Sequence, residues 1–141
     1  MRVVRLRAPG GPEQLAIEEV DQPRPGPLEA LVRVHAAAIT RVELEWPVDR
    51  LPAIPSYELS GVVEEVGPGV AGVAAGDEVF ALTPFDLDGV AADYTVLPAE
   101  LLVTRPRALG HAESAAIPLC PRSPPGRGCS TTAGSAQTSA C

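Results

Sequence analysis

At 141 residues the chain can bury one domain's core without disulfides or metals, and with 45% hydrophobic and 21% charged residues it falls outside the disordered class. The net charge is −7, and nine arginines face all eighteen acids before Cys120, which argues against a nucleic-acid or anionic-membrane surface. Arg2, Arg5 and Arg7 interrupt the apolar residues of the N-terminus, no apolar run reaches signal-peptide or spanning length, and a cytoplasmic location is expected by default.

Extended segments are expected at Val3–Arg7, Leu15–Val20, Ala30–Ile39, Glu58–Val66, Asp77–Leu82, Gly89–Leu97 and Leu101–Thr104. Short strands between Gly/Pro turns predict a mainly β fold, a barrel or sandwich. Val32 and Val34 should share one face of the third strand, with Arg33 and His35 on the other, so His35 reads as a surface histidine. After Pro106, one short helix is expected over Gly110 to Ala116, with Gly110 as N-cap, Glu113 in the first turn and His111 solvated beside the cap.

The stretch from Glu58 to Leu82 is the most specific. Gly61 amid Val62, Val63 and Val66 marks a strand with a close backbone approach. Gly67, Pro68, Gly69, Gly72 and Gly76 then supply turn conformations before the next apolar run. Gly67 to Gly72 formally matches G-x-G-x-x-G, but a strand pattern comes next where a dinucleotide site needs a helix, and Pro68 removes a backbone donor. Asp86, Asp88 and Asp93 lack metal-loop spacing and read as solvated turn acids.

The segments PAIPSYELSGVVEEVGPGV, AAGDEVFAL and DGVAADYTVLPAE, in that order, resemble the N-terminal domain of the medium-chain dehydrogenase/reductase superfamily, closest to its zinc-lacking, quinone-oxidoreductase-like branch. GGPEQLAIEEV and PRPGPLEALVRVHAAAI extend the likeness, which covers residues 1–119. The resemblance implies a GroES-like β-barrel that shapes a cleft for a small-molecule substrate. It also implies a following Rossmann domain that holds NADP(H), here missing, and a homodimer in the full-length form. No cofactor is expected to bind this chain alone.

The zinc-dependent branch places a Cys after the third strand and Gly-His-Glu before the fourth. The matching positions here are Thr40 and Ser56-Tyr57-Glu58, a poor donor set for zinc, and no Cys precedes Cys120. Without a Lewis acid, Thr40 and Tyr57 are the candidate hydrogen-bond donors to a carbonyl, and Tyr57 is a candidate proton donor. The zinc-lacking branch usually carries Asn at the Thr40 position, a departure that keeps a donor but loses the amide. A barrel tyrosine packed by its ring is the other reading of Tyr57. Glu43, Trp46 and Glu58 are placed at the substrate cleft with Glu45, Glu58 more as a structural acid than a catalytic one.

Residues 120–141 change character. Pro121 to Cys141 contains no Leu, Ile, Val, Met or aromatic residue, and Cys120, Cys129 and Cys141 have no ligand spacing, so a disordered tail is expected. All eleven basic residues are Arg, which suggests GC-rich coding DNA. GC-rich codons for Arg122 to Cys141, read one frame over, give LTAWQGLFDHGRLSADVSV. That string resembles the superfamily's passage into its cofactor domain, so a frameshifted tail is expected. The leading reading is thus half the active site of an NADP(H)-dependent reductase of quinones or activated C=C and C=O bonds, inactive alone. A free-standing binding module and a non-functional truncation product are the alternatives.

Overall fold

The computed structural model describes residues 1–45 and 51–117; Trp46 and residues 118–141, the expected tail among them, lie outside the described residues. Strands β1 (Arg2–Leu6) and β2 (Leu15–Glu19) form an antiparallel hairpin. The strands β3 (Glu29–Ala38), β4 (Glu58–Val66), β5 (Glu78–Leu82), β6 (Tyr94–Pro98) and β7 (Val103–Thr104) make a second antiparallel sheet of order β6-β3-β4-β5-β7. Isolated bridges from Val3 to Ala92 and from Leu6 to Ala53 fasten the hairpin to this sheet's loops. One helix, α1 (His111–Ala115), packs on β3, β4 and β5. No described helix is long and apolar enough to cross a membrane.

The alternation expected for β3 holds, with Val32 buried, Val34 half-buried and Arg33 and His35 exposed. Irregularities in the β3–β4 ladder at Leu31/Val32 and Val34/Ala36 bend the strands around a core that includes Val32, Leu59, Val63, Val79 and Leu97. Gly61 sits inside that bend, where a Cβ would lie 2.2 Å from the Arg33 carbonyl oxygen.

Between β4 and β5 the glycines divide their labour. Gly69, Gly72 and Gly76 adopt φ of 82°, 87° and 93°, conformations that favour glycine. Gly67 does not; it is required because a Cβ there would come within 1.8 Å of the Gly26 carbonyl oxygen. The loop returns directly into β5, so its N–H groups never precede a helix and no phosphate cradle forms.

Two strands are shorter than the sequence suggests. Gly89 to Ala91 leaves β6 and hydrogen-bonds instead to Ile54, Pro55 and Ser56. Residues Ala99–Leu101 wind into a 3₁₀ turn, so β7 begins at Val103. Asp93 is also not a solvated turn acid. It accepts from the Arg2 backbone N–H (2.8 Å) and guanidinium (3.0 and 3.2 Å), bonds that hold its carboxyl below the usual carboxylate range.

The turn that enters β3 carries strain. Glu29 N–H donates to the Gly26 carbonyl while Leu28, 62% exposed, sits at φ 64°, the position of such a turn that favours glycine. Leu28→Gly is expected to stabilise the domain by about 0.5–1 kcal/mol, since relief of the left-handed conformation outweighs glycine's added unfolded-state entropy. Thermal unfolding checks it: a lower Tm would mean that the leucine's contact with Gly69 outweighs the strain.

Candidate functional site

β3 and β4 pair as far as Ala38 and Glu58, and beyond that point the two chains diverge. Thr40 leaves one strand and Ser56-Tyr57 approach the other, so all three meet at one rim of the barrel. A 3₁₀ turn, Arg41–Glu45, directs Glu43 into the gap. Its Oε1 accepts from the Thr40 backbone N–H at 2.9 Å and from Thr40 Oγ1 at 2.8 Å, while Oε2 accepts from the Ser56 N–H at 3.0 Å. One carboxylate thereby ties the exit of β3 to the entrance of β4. Charge-assisted bonds of this kind are about twice as strong as neutral ones.

This geometry alters the part available to Thr40. Its single hydroxyl proton points at Glu43, leaving lone pairs, and not a donor, for anything bound at the rim. The carbonyl-polarising role expected from the sequence is therefore not the one the hydroxyl is arranged for. Thr40 also lines an apolar groove of about 500 Å³ with Pro12, Leu15, Ile39 and Leu44.

Ser56 is fully buried at φ 72°, and its Oγ donates to the Glu58 carbonyl at 3.2 Å. Next to it, the Tyr57 carbonyl accepts from Thr83 N–H at 2.7 Å and Thr83 Oγ1 at 3.2 Å. The Tyr57 ring is half-buried and meets Phe85 edge-on, with centroids 4.9 Å apart and planes at 68°. Glu58 is half-buried and opens β4 opposite Leu82. The rim thus brings Thr40, Glu43, Tyr57 and Glu58 into one neighbourhood; Trp46 lies outside the described residues.

All the side chains named at this rim are oxygen donors or aromatic, and both Glu43 oxygens already hold N–H or O–H protons. They do not match the thiolate and imidazole set that zinc prefers. Among the described residues, no group of three or more His, Cys, Asp or Glu could hold a metal. Nor do those residues supply a helix N-terminus for a dinucleotide pyrophosphate, since α1 has five residues and the glycine loop leads into a strand.

Three contacts escaped the sequence reading. The Glu43 clamp had a visible signal: Thr40-Arg41-Val42-Glu43 is a T-x-x-E capping pattern, in which the acid reaches back to the first N–H. Phe85 had none, because its contact joins distant loops. His111 is not solvated beside its cap but half-buried, its Nδ1 2.8 Å from Ser60 Oγ.

Residues 26–107, which carry this antiparallel barrel and its glycine-shaped turns, match the family described as the alcohol dehydrogenase GroES-like domain. The chain belongs to that family, in the N-terminal position of the medium-chain dehydrogenase/reductases. It is 33% identical to an L-threonine 3-dehydrogenase of Pyrococcus horikoshii, across 64% of this chain and 35% of that protein. A chloroplast envelope quinone oxidoreductase homolog of Arabidopsis thaliana is 32% identical, across 78% and 36%. The crystal structure of Escherichia coli quinone oxidoreductase complexed with NADPH superposes with a TM-score of 0.74 at 26% identity, covering 82% of this chain and 36% of that one. The chain spans about a third of the length of the curated relatives it matches.

Proposed function

We propose that this domain forms the substrate-facing half of a zinc-independent, NADP(H)-dependent oxidoreductase that reduces quinones or activated C=C and C=O bonds. The observation that supports this reading is the rim itself, where Glu43 ties Thr40 to Ser56, the residue before Tyr57, with no soft metal ligand among the side chains named there. A nicotinamide held by residues other than those described would supply the hydride. Tyr57 gives its phenolic proton to the oxygen of the reduced acceptor and recovers one from solvent. Thr40, its own proton committed to Glu43, accepts a hydrogen bond from a hydroxyl or amide of the substrate. Glu43 holds Thr40 to the backbone of Ser56, the residue before Tyr57.

The test joins the domain to a cofactor domain and measures NADPH oxidation with quinone and enone acceptors. Turnover should proceed in protein without zinc by elemental analysis and should be unchanged by a chelator. Near-stoichiometric zinc whose removal stops turnover would overturn the zinc-independent reading. The present chain alone should show no NADPH affinity in the micromolar range, because the described residues lack a pyrophosphate cradle; titration to a micromolar Kd would refute this.

A further inference from the structure

Ser60, His111 and Glu78 form a line of hydroxyl, imidazole and carboxylate away from the rim. Ser60 Oγ lies 2.8 Å from His111 Nδ1, and His111 Nε2 lies 3.7 Å from Glu78 Oε1. A nucleophilic relay has the same composition, but Ser60 is fully buried and its Oγ donates its proton to the Val79 carbonyl at 3.0 Å. No substrate reaches it. Since Ser60 has one proton and spends it on Val79, Nδ1 must be the donor in the Ser60–His111 bond. Neutral His111 therefore carries its proton on Nδ1 and turns a bare Nε2 toward Glu78.

We propose that His111 makes the seating of α1 on the barrel pH-dependent: the helix is held while the imidazole is neutral and loosens when Nε2 takes a second proton. Each element packed against the ring contributes. β4 presents Ser60, the acceptor. β3 presents His35, whose ring stacks on His111 with centroids 4.5 Å apart and planes at 25°. Glu78 of β5 would attract the added proton, but it is half exposed and already paired with Arg105, which comes just after β7. Arg105 and a charged His35 both repel it, and Glu113 on α1 itself is occupied by the Gly110 N–H.

Burial, then His35, then Arg105, hold the His111 pKa below the ordinary histidine value, against the weaker pull of Glu78. The unfolded chain therefore binds more protons than the folded one as the pH falls through about 6.5. The stabilisation is complete above that value and is lost below it, until the folded ring also titrates. The seat has little to spare, since Ser114 Oγ is buried beneath the helix with no hydrogen-bond partner among the described residues.

The experiment tracks the two histidine imidazoles by NMR, using His35→Gln to assign them, together with amide exchange at Ala112 to Ala116. His111 should titrate below 6.5. After correction for intrinsic exchange rates, protection of α1 relative to β4 should fall between pH 7.5 and pH 5 by up to about tenfold for each unit of depression. His111→Asn, which keeps a donor near Nδ1 and cannot titrate, should flatten that dependence. A His111 midpoint at or above 6.5, or α1 protection that ignores pH in the unmodified protein, overturns the proposal. So does an unchanged pH dependence in His111→Asn.

Discussion

Gly89→Ala is expected to destabilise the domain by about 4 kcal/mol or more, enough to leave much of it unfolded, because natural domains have only about 5–15 kcal/mol in hand. A Cβ at this position would stand 2.3 Å from the carbonyl oxygens of Pro55 and Ser56 and 2.4 Å from that of Ile54. All three belong to backbone, so no rotamer change relieves the clash. The same carbonyls accept the N–H groups of Gly89, Val90 and Ala91 at 2.7–3.1 Å, and separating the segments would break that ladder as well. Denaturant unfolding beside Gly110→Ala, whose added Cβ meets a flexible Glu113 carboxylate at 3.2 Å, provides the comparison. If the two variants lose stability equally, the 54–56 and 89–91 segments separate at little cost, contrary to this packing.

The second large effect concerns Tyr57 in a chain joined to its cofactor domain. Tyr57→Phe should lower kcat by about a hundred- to ten-thousand-fold if the phenol supplies the proton, with KM nearly unchanged. The substitution keeps the ring's edge-on contact with Phe85 and the backbone's Thr83 bonds. Unchanged kcat would return Tyr57 to a packing role. A fall in kcat and Tm together would show that the hydroxyl acts on the fold.

Much of the barrel was legible because the signals were local. Glu58–Val66 emerges with the expected bounds, and the close backbone approach expected at Gly61 is that of the Arg33 carbonyl on the paired strand. The strand expected after the glycine loop follows Gly76 as β5, Glu78–Leu82. The resemblance led to the same family as the match over residues 26–107. The shortfalls are contacts between segments distant in sequence. Gly89–Ala91 has the composition of a strand, yet its partners are Ile54 to Ser56 and not β3. Asp93 looks like a turn acid until β1 brings Arg2 to it. Residue types singled out Thr40 and Tyr57 as candidates, but the direction of the Thr40 proton depends on where the 3₁₀ turn places Glu43.

The bridge between Val3 and Ala92 has a kinetic consequence. The first strand of the chain finds one neighbour at Ala53 and the other about ninety residues later, so the β1–β2 hairpin can form early but cannot complete its docking during synthesis until Ala92 has left the ribosome. Until then the apolar side of Val3, buried in the finished domain, lacks its Ala92 neighbour. Closure of so long a loop places this barrel among slow-folding topologies, on a scale of roughly milliseconds to seconds. Its most vulnerable moment is the interval in which β3, β4 and β5 have zipped together while the N-terminal hairpin is fastened only at Leu6.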